Sequence, residues 1–497
     1  MNYTRPLSCD PALLEHIPGL KVTGSTVRGP RDAFAVAYTR TGSIVQAPAL
    51  EFEPANIDGL REYQKYGVGW LVAQLRASGG ALLADDMGLG KTLQTIRTWQ
   101  QLGSYTPLLV VCPASVRRGW VKEFKKWADV DVELLETGKQ AAKVGQHSKV
   151  VVTSYDLAQK LPAAFIPNML VMDEAQNLRG RSAKRSRHIL ELSKSIPFKL
   201  ALTGTPMWSR PRDLWMILRI LFGYRFGTAD DFDYAYCGAS INKWGGKDNH
   251  GATRVDELKK RMEFIMLRRL KRDVAKELPP ITREMLWVPA AKEATKALEA
   301  FALKQMSFGD ALNATLDAKV DATVDACIAA GKFLLFTWQK RHAELFAEKL
   351  GEAGFPVEVL SGDYTHAERA AAIDRAQKSG ASVVATIDST NAGVDGLQEI
   401  ADTAIFHSLD WVPIKVAQAE ARLHRIGQKN PVTCVYVALT DSADQVVVET
   451  VIEKLEQWTN IMGQDDAVKM HGALSGSDAG SEEAALAAIY AAMGDEE

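Results

Sequence analysis

The 497-residue sequence is poor in cysteine and has no long apolar run. Its five cysteines (Cys9, Cys112, Cys237, Cys327 and Cys434) are scattered, so we expect neither a structural zinc site nor disulfides. No segment approaches the ~18 consecutive apolar residues that a transmembrane helix needs. Residues 1–6 also lack the charged-then-apolar order of an export signal. These absences favour a cytoplasmic protein.

The sequence also lacks a strong net charge of either sign. A formal charge of −2 argues against a simple basic nucleic-acid binder. The charge is unevenly distributed, because residues 465–497 contain eight acidic residues and one lysine. A mildly basic body with an acidic tail is compatible with a polyanionic partner without establishing one. The composition of the tail predicts a flexible end, with a protein-binding role as the alternative.

Short apolar runs predict two sets of buried parallel strands, each run being followed by a turn or a polar cluster. The first set lies at 81–84, 108–112, 150–152, 169–172 and 200–202. The second set lies at 333–336, 357–360, 383–386, 403–406 and 432–437. A mostly helical stretch separates the two sets. The pattern predicts an α/β protein with two doubly wound parallel-sheet lobes and a helical insert between them.

These patterns divide the chain into five segments. A small module of unknown role, with short β-rich runs, precedes the first lobe. The predicted bounds are 1–55 for this module, 56–225 for lobe one, 226–325 for the insert and linker, 326–462 for lobe two and 463–497 for the tail. The small module and the tail are the candidate sites for a protein partner.

A strand followed by Asp85-Asp86-Met87-Gly88-Leu89-Gly90-Lys91-Thr92 predicts a phosphate-binding loop. In such a loop the backbone N–H groups face phosphate at a helix N-terminus. Lys91 is expected to pair with the β- and γ-phosphates of ATP, and the Thr92 hydroxyl to bind Mg²⁺. The usual first glycine of the pattern is absent, because position 85 is aspartate.

Paired carboxylates follow the apolar strand at 169–172. Asp173 is expected to hold Mg²⁺, and Glu174 to orient and deprotonate the attacking water. Two adjacent acids at one strand end repel each other unless a cation is present. A cation at this position would therefore offset the repulsion between the two acids as well as take part in catalysis.

Arg422 and Arg425 stand three residues apart on a predicted helix in the second lobe. Arginines supplied from a separate lobe can stabilise charge on the γ-phosphate during transfer. The alternative is a pair of surface arginines that form weak ion pairs on a solvated helix face. The surrounding sequence, Gln418 to Gln428, favours the catalytic interpretation.

Residues 60–455 resemble the Swi/Snf-type, helicase-like ATPases of superfamily two, with the motifs in the same order. In local sequence they resemble the compact annealing-helicase branch of that family. A bacterial or bacteriophage relative would fit the length. The segments that carry the resemblance are 60–67, 111–115, 153–156, 202–206, 266–274 and 422–428. The resemblance implies two RecA-like lobes, ATP and Mg²⁺ as cofactors, and double-stranded or forked DNA as the partner. It implies hydrolysis coupled to translocation or rewinding, without sequence preference.

The resemblance also implies roles for individual residues. Gln64 would read the adenine edge, and Gly393 and Asp395 of the loop 389–398 would contact the nucleotide. Gln176 stands where many relatives have histidine, and it can bridge the acid pair to Thr203 by hydrogen bonds. Val394 and Val412 also depart from the family pattern. The expected DNA contacts are Ser115, Arg118, Thr153, Tyr155, Thr337, Thr390 and Trp411.

The basic cluster Arg179, Arg181, Lys184, Arg185 and Arg187 has two interpretations, a solvated helix face or a surface that follows phosphates. Two other functions remain open for the whole chain. One is an ATPase directed at RNA or RNA polymerase, and the other is an ATP-gated DNA clamp that does not hydrolyse.

Overall fold

The structure is a computed structural model. It describes residues 3–6, 14, 17, 19–29, 33–34, 50–204, 210–241, 247–249, 251–390, 396–411, 413–425 and 427–462. The predicted flexible tail, 463–497, lies outside the described residues. The chain divides into two compact units, Met1–Val274 and Ala275–Glu497.

The first unit is built on a seven-stranded sheet in which every pairing is parallel. In spatial order its strands are β12, β4, β9, β8, β5, β7 and β6. Their bounds are β4 (Gly80–Leu83), β5 (Leu108–Cys112), β6 (Val132–Leu134), β7 (Val150–Ser154), β8 (Met169–Asp173), β9 (Phe198–Leu202) and β12 (Met266–Leu267). Two small antiparallel sheets accompany it, formed by β1 (Tyr3–Pro6), β2 (Lys21–Thr23) and β3 (Thr26–Gly29), and by β10 (Ser240–Ile241) and β11 (Lys247–Asp248).

The helices of the first unit connect these strands. They are α1 (Glu62–Ser78), α2 (Lys91–Gln101), α3 (Arg117–Ala128), α4 (Gly138–Ala141), α5 (Tyr155–Ala158), α6 (Lys184–Ser193), α7 (Leu214–Phe222), α8 (Ala229–Tyr236), α9 (Val255–Glu263) and α10 (Lys271–Val274). Four of the five interior strands, β4, β5, β7 and β8, are apolar along nearly their whole length and are buried almost throughout. Burial on both faces explains these continuous apolar runs, because helices cover both sides of a parallel sheet.

The second unit contains a six-stranded sheet whose pairings are again all parallel. Its spatial order is β13, β18, β17, β14, β16 and β15. The bounds are β13 (Ile281–Val288), β14 (Phe333–Thr337), β15 (Val357–Leu360), β16 (Ser382–Thr386), β17 (Thr403–Phe406) and β18 (Val432–Leu439). The helices are α11 (Lys292–Ala302), α12 (Phe308–Ala318), α13 (Val320–Ala330), α14 (Lys340–Glu352), α15 (His366–Ser379), α16 (Ile387–Thr390), α17 (Pro413–Leu423) and α18 (Ala443–Met462).

The two parallel-sheet lobes and all ten predicted strands are confirmed, with ends that differ by at most two residues. Three strands of the large sheets were not predicted: β6, β12 and β13. All three are edge strands. An edge strand has one neighbour and less complete burial, so it does not need a continuous apolar run.

The segment predicted as a helical insert is not purely helical. Met266–Leu267 pairs with β4 in the first unit, and Ile281–Val288 pairs with β18 in the second. Four helices, α8, α9, α11 and α12, also lie within 226–325 besides the short α10, and α13 begins there and ends at Ala330. The insert therefore supplies one edge strand to each large sheet, and the chain passes between the units close to Val274. None of the described helices is long and apolar enough to cross a membrane.

Candidate functional site

Three neighbouring strands of the first unit deliver polar groups to one edge of the sheet. Strand β4 leads into the loop 85–90, and its neighbour β9 leads into Thr203. The next strand, β8, ends in the Asp173-Glu174 pair. The carboxyl ends of parallel strands meet at the same edge, which is where open α/β sheets bind ligands. The predicted phosphate loop and acid pair are thus brought together by strand order.

The loop 85–90 has the geometry of an anion-binding turn. Gly88 and Gly90 have φ of 84° and 76°, a region that glycine enters without steric cost. Helix α2 begins at Lys91, immediately after Gly90, and no side chain caps it. The first four N–H groups of a helix have no intrahelical partner, so they are available to phosphate oxygens.

Lys91 lies inside this loop. Its Nζ donates to the carbonyl oxygens of Asp85 at 2.8 Å and of Asp86 at 3.2 Å. An ammonium group has three N–H donors, so one remains for a phosphate oxygen. The arrangement places a point charge among the backbone donors, as ATP binding requires.

Asp85, the departure from the P-loop pattern, is a buried ion-pair partner. Its carboxylate is fully buried and accepts from Arg269 Nε at 2.9 Å and from Gln94 Nε2 at 3.1 Å. Neither partner was predicted, because Arg269 stands 184 residues away in sequence and Gln94 belongs to the helix after the loop. The side chain faces the interior, so it does not occupy the space in which phosphate would bind.

Gln64 contacts the loop itself. Its Oε1 accepts from Arg61 N at 3.1 Å, and its Nε2 donates to the carbonyl oxygen of Leu89 at 3.3 Å. A β-carbon on Gly90 would lie 2.6 Å from Gln64 Nε2, so this contact also requires glycine at position 90. Gln64 Nε2 also lies 3.4 Å from Tyr63 Oη, so both N–H groups have acceptors and one oxygen lone pair remains for an adenine edge.

Asp173 is held by three hydrogen bonds at the end of β8. Its Oδ2 accepts from the Trp120 indole at 2.8 Å and its Oδ1 from Glu174 N at 2.9 Å, while its carbonyl accepts from Tyr155 Oη at 2.7 Å. Burial and the neighbouring Glu174 raise the pKa of Asp173 to about 6, although the Trp120 bond and the charge of Lys91 act in the opposite direction. The role of Trp120 was missed, because an indole within a helix carries no recognisable motif.

Glu174 has φ 49° and ψ 54°, an unusual conformation for a residue with a side chain. Asn177 stabilises it by donating from Nδ2 to the Glu174 carbonyl at 2.9 Å. Glu174 Oε2 accepts from Gln176 Nε2 at 2.6 Å, and Gln176 Oε1 accepts from Thr203 Oγ1 at 2.7 Å. The predicted bridge from the acid pair through Gln176 to Thr203 is confirmed; the catalytic role of Gln176 stays a prediction.

The donor set fits Mg²⁺. A hydroxyl from Thr92 and a carboxylate from Asp173 are oxygen ligands of the kind that this ion prefers. Each carboxylate oxygen of Asp173 uses one lone pair in its hydrogen bond to protein, which leaves further lone pairs for a cation. The pKa of Asp173 is raised first by burial and then by the negative charge of Glu174, and a cation beside the pair would oppose both effects.

In the second unit, the segment that carries Arg422 and Arg425 is fixed by its neighbours. Glu420 receives two hydrogen bonds from Arg283, at 2.9 and 2.7 Å, and a short one from Tyr436 Oη. Burial alone would raise the pKa of Glu420, but the Arg283 guanidinium and these bonds hold it below its ordinary value.

The far end of this segment is fixed as well. His424 Nε2 lies 2.8 Å from the carbonyl oxygen of Pro279, and Gln428 Nε2 donates to the carbonyls of Gln398 and Ala401 at 3.1 and 3.2 Å. Arg422 occupies the last turn of α17, which ends at Leu423. Arg425 lies two residues beyond that end, so the prediction of both arginines on one helix is wrong. Both arginines are half-buried. The predicted nucleotide contacts Gly393 and Asp395, and both departures Val394 and Val412, lie outside the described residues.

The structure does not support side-chain DNA contacts for three of the predicted residues. Thr153, Tyr155 and Thr337 are buried, and Tyr155 is hydrogen-bonded to Asp173 as described above. A buried side chain has no surface to offer a phosphate. Tyr155 instead supports Asp173 from inside the lobe.

The remaining DNA candidates differ in exposure. Ser115 is half-buried, and the exposed Arg118 pairs with Glu136 at 2.9 Å. Trp411 is half-buried with its ring edge-on to Phe308, 5.1 Å between centroids. The side chain of Thr390 lies outside the described residues.

The basic cluster after the acid pair separates into two parts. Arg181 is a structural residue, because its guanidinium forms two hydrogen bonds with the buried carboxylate of Asp233, at 2.8 and 2.7 Å. These contacts and those of Lys247 and Asn249 hold the pKa of Asp233 at about 2, against the effect of burial. The other four residues, Arg179, Lys184, Arg185 and Arg187, are exposed.

Comparison with known proteins identifies two domain families in this chain. The model of the SNF2-related domain matches residues 63–333, and that of the helicase conserved C-terminal domain matches residues 318–427. The phosphate loop and the acid pair lie in the first match. Arg422 and Arg425 lie in the second.

Relatives match most of this chain. The SWI/SNF-related matrix-associated actin-dependent regulator of chromatin subfamily A-like protein 1 of Xenopus tropicalis is 31% identical over 463 residues, covering 87% of this chain and 48% of the relative. The DNA annealing helicase and endonuclease ZRANB3 of Bos taurus is 30% identical over 434 residues, covering 80% and 40%. The chain thus spans about half the length of the relatives it matches.

Among solved structures, the chain is similar to the Sulfolobus solfataricus SWI2/SNF2 ATPase core in complex with dsDNA. The sequence identity is 22%, the TM-score is 0.44, and the match covers 85% of this chain and 99% of that chain.

Replacing Gly90 by alanine tests the phosphate loop. The added β-carbon would meet Gln64 Nε2 at 2.6 Å at a φ of +76°, so Gly90→Ala should weaken ATP binding about tenfold or more. Gly119→Ala is the matched control, since a β-carbon at that helical glycine meets nothing within 4 Å. A fluorescent ATP analogue titrated into each protein measures the affinity. Equal affinities in both variants would contradict the assignment of the loop.

Proposed function

The chain belongs to the SNF2-related family of helicase-like ATPases, and we propose that it couples ATP hydrolysis to translocation on, or remodelling and rewinding of, double-stranded or forked DNA. The proposal includes binding without sequence preference, through the DNA backbone.

The observation that best supports the proposal is the hydrogen-bonded path from Glu174 through Gln176 to Thr203. It links the residue proposed to activate water to the end of the neighbouring strand β9. A shift of that strand end would therefore change the position of Glu174. Such a link suits an enzyme whose hydrolysis responds to a second ligand.

Each residue at the sheet edge has a proposed task in hydrolysis. The loop N–H groups and Lys91 hold the β- and γ-phosphates, and Gln64 contacts the adenine. Thr92 and Asp173 hold Mg²⁺, which would neutralise charge on the phosphates. Glu174 orients the attacking water and accepts its proton.

Arg422 and Arg425 complete the proposed reaction by stabilising charge on the γ-phosphate in the transition state. The support is the way in which Glu420, His424 and Gln428 fix this segment, because a catalytic arginine gains from a preset position. Fixing both ends of the segment restricts the positions that the two guanidinium groups can reach.

The exposed part of the basic cluster is the proposed DNA contact of the first unit. Lys184, Arg185 and Arg187 lie on α6, which follows the acid pair in the chain, and all three are exposed. Phosphate contacts of this kind carry affinity without base recognition. The Bos taurus relative is named as a DNA annealing helicase, which favours rewinding or duplex translocation over strand separation.

ATP turnover measured in parallel with no polymer, single-stranded DNA, duplex DNA, forked DNA and RNA tests the function. We expect duplex or forked DNA to stimulate turnover most strongly, with a stimulation that falls as salt rises. Glu174→Gln provides the background rate. Strongest stimulation by RNA would support an RNA-directed ATPase instead. Nucleotide binding without turnover would support a non-hydrolysing clamp.

Arg425→Ala should lower the stimulated turnover by about 10³-fold or more, because it removes charge stabilisation in the transition state. Affinity for ATP should change little, as measured with a fluorescent analogue. Arg375→Ala is the control, since this exposed arginine on α15 of the same unit forms an ion pair with Glu358. Unchanged turnover in the Arg425 variant would refute the catalytic role.

Reversing the charges of α6 tests the DNA surface. The triple variant Lys184→Glu, Arg185→Glu, Arg187→Glu should reduce affinity for duplex DNA. It should also make the dependence of log affinity on log salt shallower by up to about three, one for each phosphate contact. The control makes the same charge change on α3, at the exposed Lys122, Lys125 and Lys126. Weaker binding with an unchanged salt slope would contradict phosphate contact, because a loss of charge contacts must lower the salt dependence.

A further inference from the structure

The segment 266–274 is the most family-specific sequence in the first unit, yet the proposed reaction gives it no task. The structure places it beside the phosphate loop. The backbone of Ala84 donates to Leu267 O at 2.7 Å, and that of Asp86 donates to Arg269 O at 3.0 Å. Lys271 N in turn donates to Asp86 Oδ2 at 3.0 Å. The segment thus runs along the loop and continues the edge pairing of β12 with β4.

The side chain of Arg269 joins three parts of the first unit. Its guanidinium forms an ion pair with Asp85 of the loop, with Nε to Oδ1 at 2.9 Å and Nη2 to Oδ2 at 2.5 Å. It donates to Gln94 Oε1 on α2 at 2.7 Å and to the carbonyl oxygen of Tyr63. Tyr63 precedes Gln64, so one side chain contacts both the adenine-reading segment and the phosphate loop.

The packing leaves no room for this contact to shift. Arg269 is mostly buried and Asp85 entirely so. A β-carbon on Gly67, in the first helix, would lie 2.6 Å from Arg269 Nη2 and 2.1 Å from Gln94 Oε1. Glycine at position 67 is therefore required for the guanidinium to reach Tyr63 and Asp85 together.

The direct contacts between the adenine-reading segment and the loop are weaker. Tyr63 Oη and Gln64 Nε2 both donate to Leu89 O, each at 3.3 Å. These distances lie at the long end of ordinary hydrogen bonds, whereas Arg269 contributes charge-assisted bonds, which are stronger. The spacing between the base-reading and phosphate-binding groups is thus set mainly by Arg269.

We propose that Arg269 is a positioning residue for ATP, which holds the adenine-reading segment and the phosphate loop in one fixed spacing. The aspartate at position 85, where the general pattern has glycine, is the anchor for this arginine. Base recognition and phosphate binding then act on the same nucleotide without a separate ordering step. The inference rests on the proposed ATP site and adds the residue that makes its two halves act together.

Removing Arg269 alone would also leave a buried charge on Asp85, which destabilises a fold regardless of function. A second variant separates the two effects. Asp85→Asn with Arg269→Met removes both charges together, and a paired replacement of this kind is often nearly neutral for stability. Arg272→Met is the matched control, because Arg272 belongs to the same segment and is exposed.

The experiment measures KM and kcat for ATP and for GTP, with duplex DNA saturating, together with the melting temperature of each protein. In Arg269→Met and in the double variant we expect KM for ATP to rise about tenfold, equivalent to one lost charge-assisted hydrogen bond. The ATP-over-GTP preference in kcat/KM should fall several-fold, while kcat changes by less than about threefold. Arg272→Met should match the wild type.

Two results would overturn the inference. One is a folded Arg269→Met protein with wild-type KM and preference. The other is a double variant in which KM, preference and melting temperature all return to wild-type values, which would show that Arg269 only neutralises Asp85. A wild type without ATP turnover or binding would instead defeat the proposed function. If the wild type turns over ATP and GTP equally well, the proposed recognition of adenine is wrong. The comparison of KM for ATP between the variants and the wild type then tests the role of Arg269 by itself.

Discussion

The buried carboxylate of Asp85 requires a positive partner, and the first unit is arranged to supply one. A carboxylate without access to water is costly unless it is paired and hydrogen-bonded. Arg269 meets this requirement from the end of an edge strand that pairs with β4. The phosphate loop is therefore supported by a part of the chain almost two hundred residues away in sequence. Its shape depends on the completed sheet rather than on the loop sequence alone.

In the second unit, a similar buried arginine–carboxylate ion pair lies next to the proposed functional segment. Arg283, on the edge strand β13, pairs with the buried Glu420 of α17, two residues before Arg422. Deeper in this unit, Lys319 and Asp444 form another buried pair at 2.6 Å. Burial raises the energetic cost of breaking such a pair, since removing either partner leaves an uncompensated charge. In both units an edge strand thus carries the arginine that fixes a proposed nucleotide-binding segment.

The sequence could predict what is local and periodic. The central strands are buried on both faces, so their apolar runs are visible, and the glycines of the loop and the acid pair follow such strands directly. The family resemblance is confirmed by the matched domains. The edge strands were missed because partial burial leaves no continuous apolar run, as in Ile281–Val288, where half-buried and exposed side chains alternate over the first six residues. Long-range partners such as Trp120 for Asp173 depend on strand order, which no local pattern contains.

Motif membership alone was a poor guide to exposure. Thr153, in β7, and Tyr155, directly after it, belong to one family motif, yet both are buried, and Tyr155 supports Asp173 from inside the lobe. A motif residue that orients a catalytic group is constrained as strongly as one that touches a ligand. Sequence patterns cannot separate the two cases, because both restrict the residue type.

The glutamine at position 176 shows how such a supporting residue shapes the chemistry. Histidine, which many relatives have there, titrates near neutral pH and would alternate between donor and acceptor states at its two nitrogens. An amide has no such titration, and its two ends keep fixed roles. Gln176 donates to Glu174 and accepts from Thr203, and both partners require that orientation, since a carboxylate can only accept. The link between the acid pair and β9 is therefore independent of the protonation of the bridging residue.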